Sequence, residues 1–414
     1  MAHEAGGLIR WRMLALGLAA WAVGAAAVYQ LSLLLPSLRA ETDISIGTAG
    51  TLVGIANAGL AVGLLGWGMA ADRYGERRVM AFGLAVCGTF VGAAAATEDV
   101  PLLAVALGGC GLAAGSVYAP SGRLVLKWFP ARQRGLAMSI TQTSTPLSSA
   151  LAAATLPGMA AEHGYRPAML VMAVACLAVA LLVALFVRAA PETAEASEET
   201  GPGSEARGPR SGLRRMYIVS VLLFLPQISL LTFAVSYLVD TRGWSAAHAG
   251  EALSVALLLT LVTRPVIGHW SDQVGRRLGL MRGIAILNVA VMGALVTGTV
   301  TGSRLGTAAV LVAVTSMITG SGLIATTVAE FADRTRTGRA LGVQNTLQGG
   351  VAVLAPIVLG STVDLFGYTA AFGMIAVAPL LAAIVVPVAA ERAAVAAACS
   401  GARERDGGTS VSPP

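Results

Sequence analysis

Long apolar runs, rather than alternating or short amphipathic patterns, dominate the chain. Twelve of them approach or exceed the roughly 20 residues that a helix needs to cross a bilayer. They cover 13–36, 46–71, 78–97, 101–127, 134–158, 166–188, 216–240, 248–271, 280–301, 305–330, 339–363 and 369–390. A backbone immersed in lipid must satisfy its own hydrogen bonds, and runs of this length without period-two alternation do so as α-helices. The first run follows only Arg10 and Arg12, is longer than a signal-peptide core and lacks a cleavage site, so it reads as a retained span.

Between the sixth and seventh runs the pattern breaks. The stretch from Ala189 to Gly212 is rich in Glu, Pro, Gly and Ser and has no apolar period, which is the composition of a solvated linker. The expected organisation is a six-helix bundle over 12–188, a cytoplasmic linker over 189–215, a second six-helix bundle over 216–391 and an unstructured cytoplasmic tail over 392–414.

Composition sharpens this picture. Of 414 residues, 56% are hydrophobic and only 12% are charged, and the mean hydropathy is +0.74. A soluble domain carries roughly 25% charged residues, so an ordinary soluble enzyme is excluded. The 49 glycines lie largely within the apolar runs, where small residues let membrane helices approach closely. The net charge of +6 does not point to nucleic acid, because the arginines sit in short clusters between apolar runs without interleaved aromatics. Of the 28 basic residues, 22 fall in the termini and alternate loops that share the N-terminal side. Arg39, Arg166, Arg242 and Arg304 fall on the other side, and Arg123 and Arg264 fall within spans. The positive-inside rule then expects both termini in the cytoplasm. The four cysteines, Cys87, Cys110, Cys176 and Cys399, have no metal or disulfide spacing and read as free thiols.

The halves echo one another. Gly68, Asp72 and Gly75 close the second run, followed by Glu76, Arg77 and Arg78; Gly268, Asp272 and Gly275 close the eighth, followed by Arg276 and Arg277. Gly164-Tyr165 and Gly367-Tyr368 form a second echo. Twelve spans in two sixes, a central polar segment and the Gly-x-x-x-Asp-Arg-x-Gly-x-Arg-Arg loop after span two resemble the major facilitator superfamily of secondary transporters. The resemblance covers Trp11 to Arg392. It implies an all-α integral membrane protein, with twelve transmembrane helices in two pseudo-symmetric six-helix bundles. It also implies that Asp72, with Arg73, Gly75 and Arg77, latches the cytoplasmic sides of the bundles when the molecule faces outward. Asp272, Gly275 and Arg276 would take the pseudo-symmetric role. The alternative is that these are solvated loop charges. The family often has a basic residue where this chain has Glu76.

Polar groups inside the spans are the candidate binding residues. Arg264 lies eight residues before Asp272, about 12 Å inside the boundary at the rise of a helix. An arginine at a span centre costs about 2.5–3.5 kcal/mol on insertion scales, so it should face a hydrated cavity or a partner. With Pro265 and Gly268 it resembles the eighth span of monocarboxylate transporters, where the arginine binds the substrate carboxylate; Thr260 stands where that family has an acid. A structural arginine bonded to carbonyls or to Asp272 remains the alternative. Arg123, four residues before Lys127, is expected either to pair with Asp72 or to meet substrate. Asn57, Gln142, Gln227, Gln344, Asn345, Gln348, Tyr29 and Gln30 are expected to point inward, as interhelical hydrogen bonds or as ligand contacts. Prolines 120, 146, 265 and 356 are expected to kink their helices and so allow rocking, the alternative being that the carbonyls they free bind a ligand. The run Thr145 to Ala150 resembles an antiporter segment of the superfamily in which every glycine is replaced by another small residue.

No Asp or Glu falls in the middle of a span, so the buried charge is positive and the cavity should prefer an anion. The function expected is secondary active transport of a small solute, a small organic anion or carboxylate, across the inner membrane by alternating access. A carrier or exporter of neutral or lipophilic compounds is the rival, and a non-transporting membrane sensor the more distant one. The partners expected are a small-molecule substrate, the lipid bilayer and a coupling ion or counter-substrate. No enzyme constellation, metal site or cofactor motif is found, and none is expected.

Overall fold

A computed structural model describes residues 2–188, 210–274, 277–332 and 337–388. Most of the expected linker, the expected tail with Cys399, and the loop positions Gly275 and Arg276 lie outside the described residues. The first bundle comprises α1 (Ala2–Thr42), α2 (Ile46–Tyr74), α3 (Glu76–Ala95), α4 (Val100–Ala114), α5 (Tyr118–Trp128), α6 (Ala131–Gln142), α7 (Ser144–His163) and α8 (Tyr165–Phe186). The second comprises α9 (Arg210–Arg242), α10 (Ala246–Val274), α11 (Arg277–Val300), α12 (Arg304–Phe331) and α13 (Thr337–Val385). Helix α9 begins at Arg210, within the segment expected as linker.

Ten stretches among the described residues are helical, long and apolar enough to cross a membrane. The last of them turns back at Gly367, whose φ of 78° is open to glycine and strained for other residues, and so makes two crossings. Helices α6 and α7 together make the remaining one, for twelve. They are separate because Pro146 has no N–H to offer the Gln142 carbonyl and its ring crowds that carbonyl; the chain breaks at Thr143 between them. Pro120 acts similarly, standing in the first turn of α5 just after a 3-10 turn at Gly115–Val117. Pro265 and Pro356 are accommodated within continuous helices.

The duplication is visible in the turns and in the packing. Gly164 and Gly367 both adopt positive φ, 86° and 78°, and hand the chain to Tyr165 and Tyr368. Within the first bundle α3 packs on α8, α2 on α4, and α1 on α7; within the second α11 packs on the end of α13, α10 on α12, and α9 on α13. The bundles meet through two matching pairs, α2 with α13 and α7 with α10, and through α1 with α9. The fold is two pseudo-symmetric bundles of six crossings.

Contacts between the bundles are concentrated toward one end, the arginine-poor end where α1 finishes. On α2, a methyl added at Gly54 would lie 2.7 Å from the Val353 carbonyl, and one at Gly50 would overlap the Pro356 carbonyl. Gly250 of α10 stands in the same relation to the Ala153 carbonyl of α7. Toward the arginine-rich end, a methyl at Gly66 or Gly68 of α2, Gly342 of α13 or Gly268 of α10 would meet nothing within 4 Å. The bundles therefore part in that direction, and the cleft between them opens at the arginine-rich end.

Candidate functional site

The side chain that sequence placed deepest is Arg264. On α10 the residues Leu253, Leu257, Thr260 and Ser271 are buried, whereas Val255, Leu258, Leu259, Val262 and Val266 are exposed. Arg264 continues the buried stripe at a spacing of four from Thr260 and seven from Leu257, and is itself half-buried. It therefore points inward, away from lipid, on the part of α10 where the bundles have separated. Its Nη2 donates to Ser321 Oγ of α12 at 2.9 Å. From the neighbouring position on α10, Thr263 shares a 2.7 Å hydroxyl pair with Thr319 of α12 that fixes the two helices. No carboxylate among the described side chains lies within ion-pair distance of Arg264. The side chain of Asp272, its expected alternative partner, is outside the described residues. Ser321 gives the guanidinium one acceptor where it has five donors, so the remaining donors are open to an anion.

The other expected contacts divide. Gln227 of α9 and Tyr29 of α1 are partly exposed and make no hydrogen bond among the described residues. Gln348 of α13 is committed to its own bundle, its Nε2 donating to Ser220 Oγ at 2.9 Å. Asn57 is 4% exposed and its Nδ2 turns back to the Val53 carbonyl at 3.0 Å, so it closes its own helix. Gln142 is exposed at the break before Thr143. Gln30 is buried and donates to the Ala27 carbonyl at 3.0 Å, Gln344 is buried, and Asn345 is exposed.

A group that sequence reasoning missed stands on the first bundle. Trp21 Nε1 of α1 donates to Thr145 Oγ1 of α7 at 3.0 Å, and its ring lies 5.0 Å from that of Tyr118 on α5. Trp21, Thr145 and Tyr118 are all partly exposed. Trp21 and Tyr118 were unremarked aromatics in apolar runs, Thr145 was noted only as part of an antiporter-like segment, and the Trp21 and Thr145 partners are 124 positions apart.

At the arginine-rich end two ion pairs lie within the first bundle. Arg123 of α5 pairs with Asp72 at the end of α2 and also donates to the Gly68 carbonyl at 2.8 Å. Lys127 pairs with Glu76 at 2.6 Å. Arg123 thus takes the pairing role expected for it, and Glu76 is a partner for lysine rather than a gap in a basic pattern. Gly75 joins α2 to α3 with φ 80°, Arg77 donates to the Ala184 carbonyl of α8 at 2.8 Å through Nε, and Arg73 lies over the Tyr74 ring. Asp72 remains 72% exposed toward the open side.

Among the described residues no cluster of His, Cys, Asp or Glu could hold a metal ion. A shallow depression lined by Trp244, His248 and Glu251 belongs to the arginine-poor surface. His248 precedes Arg264 by sixteen positions, about 24 Å of helix, so the depression is not the cleft.

Comparison with known proteins accounts for this architecture. The family model described as Major Facilitator Superfamily matches residues 13–356 and 229–408. An uncharacterised MFS-type transporter of Mycobacterium tuberculosis strain H37Rv is 33% identical over 379 residues, 92% of this chain and 85% of that one. The probable sulfoacetate transporter of Cupriavidus necator is 24% identical over 284 residues, 64% of this chain and 66% of that one. Among solved structures, a bacterial homologue of the human lysosomal transporter Spinster, in an inward-facing and occupied conformation, superposes with a TM-score of 0.79 at 13% identity, covering 92% of this chain and 97% of that one. Two bundles of six crossings, a cleft opening at one end and a signature loop after the second crossing thus have one origin, and the chain belongs to the major facilitator superfamily of membrane transporters.

Proposed function

We propose that this secondary transporter moves a small organic anion, with Arg264 as the group that binds the carboxylate or an equivalent negative group. The observation that carries the proposal is a guanidinium on the inward stripe of α10, half-buried, with Ser321 as an acceptor and no carboxylate among the described side chains to neutralise it. A charge held at that depth costs free energy unless a partner compensates it, and an anionic substrate is such a partner. Gln227 and Tyr29, free of hydrogen bonds among the described residues, supply further polar contacts from α9 and α1. The relative from Cupriavidus necator lends support, since sulfoacetate carries two anionic groups.

The arginine-rich end faces the cytoplasm in this reading, with both termini inside the inner membrane, because 22 of the 28 basic residues flank it. The open cleft is then the inward-facing state. Without an acid at mid-span, the substrate carries the negative charge itself, and movement proceeds by exchange against a counter-substrate or with a coupling ion.

The test is thermal stabilisation of the purified protein by acetate, lactate, pyruvate, sulfoacetate and inorganic sulfate, against uncharged sugars and lipophilic cations. A true ligand raises Tm by mass action. At least one of the anions is expected to do so in the parent, and Arg264→Ala to abolish the shift while the protein stays monodisperse. Stabilisation by an uncharged solute alone, unchanged in Arg264→Ala, would transfer the assignment to the neutral-solute reading, in which the Ser321 bond makes Arg264 structural and the Trp21–Tyr118 pair lines the site.

A further inference from the structure

The closed end is held by more than apolar packing. Helix α2 starts at Ile46 with Ser45 as its N-cap, and Ser45 Oγ accepts from Thr48 N at 3.1 Å. That leaves the N–H groups of Ile46 and Gly47, which no residue of their own helix can satisfy. Both are taken by one carboxylate from the opposite bundle: Asp364 Oδ1 accepts from Ile46 N at 3.0 Å and Oδ2 from Gly47 N at 2.7 Å. The approach needs the glycine, since a methyl there would stand 2.6 Å from Oδ2. The negative group also sits at the positive end of the α2 dipole.

Beside it a second clasp crosses the same interface. Arg39, at the end of α1, pairs with Asp240 of α9 at 2.7 Å, and Tyr368 donates to the same Asp240 oxygen at 2.9 Å. The two differ in kind. Solvation does not separate them: Arg39 and Asp240 are 26% and 27% exposed and Asp364 is exposed as well, and a partly solvated side-chain ion pair contributes little on its own. The Asp364 contact is a charged acceptor on two backbone donors of a helix terminus, among the stronger hydrogen bonds available to a protein.

We propose that Asp364 is a gating residue: by capping α2 in trans it holds the bundles together at the arginine-poor end and sets the population of the state open on the other side. Opening the arginine-poor end separates α2 from α13 and must take the acceptor from the N–H groups of Ile46 and Gly47, both residues buried in the closed arrangement. Asp364 meets no substrate in this arrangement; it positions the bundles, and its role stands whatever the cargo.

The experiment measures the distance between bundles in the full-length protein in lipid nanodiscs, where both faces are accessible and orientation does not matter. Spin labels are placed at Ala96→Cys and Thr301→Cys, exposed positions at the arginine-poor end of the first and second bundles, with Cys399→Ser to remove the tail thiol; Cys87, Cys110 and Cys176 are buried. The parent is expected to show mainly the short distance of the closed end. Asp364→Asn is expected to raise the ratio of long to short distances about tenfold. Glu162→Gln, which removes an exposed charge at the same end, is expected to leave it unchanged. Asp364→Ser, a smaller uncharged replacement, serves as the second variant if the asparagine destabilises the chain. A folded Asp364 variant whose distance distribution matches the parent overturns the proposal, as does an equal shift in Glu162→Gln. Neither result bears on Arg264, whose test reads ligand binding alone.

Discussion

Two glutamines on helices that flank the cleft show how a residue's partner decides its role. Gln348 spends its amide on Ser220, an interhelical bond of the kind worth about 0.6 kcal/mol. Gln348→Ala should therefore lower the unfolding stability by about that amount and leave ligand affinity within twofold, read from melting curves with and without the stabilising anion. Gln227 makes no such bond among the described residues, so its amide is available to a ligand. Gln227→Ala should keep the parent Tm and weaken binding about tenfold, read from the concentration dependence of the same shift. Sequence could place both residues at depth in apolar runs but could not separate them, because the separating contact joins positions 128 apart. Arg264 was legible for the opposite reason. A charge in hydrocarbon announces itself from one position, whereas Trp21, Thr145 and Ser321 become site candidates only when distant helices meet.

Elements were the most legible level, because lipid leaves an apolar run no option but helix. The residual errors lie where backbone chemistry interrupts a run. Span five reads as one stretch from 134 to 158, yet it is two helices because of Pro146; the last two spans read as separate, and the sharp turn at Gly367 parts them. The glycine content of α2 was read as a packing property, and the structure shows which glycines pack against the other bundle: Gly47, Gly50 and Gly54 do, while nothing lies near the position a methyl would take at Gly66 or Gly68. This face can be tested as an element. Gly50→Val puts a branched side chain into the Pro356 carbonyl, and overpacking of a tight contact costs about 1–3 kcal/mol. That cost falls on the closed arrangement only, so the variant should fold and favour the arrangement open at the arginine-poor end. Hydrogen exchange is expected to accelerate in peptides covering 46–54 and 353–361 and to remain at the parent rate in 60–74. Equal exchange in all three would show that α2 yields without parting from α13.

At the scale of the molecule the two ends are unlike in a way that bears on the transport cycle. The arginine-poor end is shut by contacts that cross between bundles, Arg39 with Asp240 and Asp364 with α2, while at the arginine-rich end the described pairs Arg123 with Asp72 and Lys127 with Glu76 lie inside the first bundle. Two arrangements of one rocking pair of bundles require that each end exchange its partners. In the latch role that the signature loop implies, Asp72, 72% exposed beside Arg123, would exchange partners when that end closes. If so, its charge matters to interconversion and not to the ligand. Asp72→Asn should lower counterflow in proteoliposomes about tenfold while the anion-induced Tm shift of the purified protein stays at the parent value. Normal counterflow would leave Asp72 an ordinary partner of Arg123, and a lost Tm shift would place it in the binding site. Parent counterflow also separates a carrier from a sensor, since a protein that binds without translocating accumulates no label.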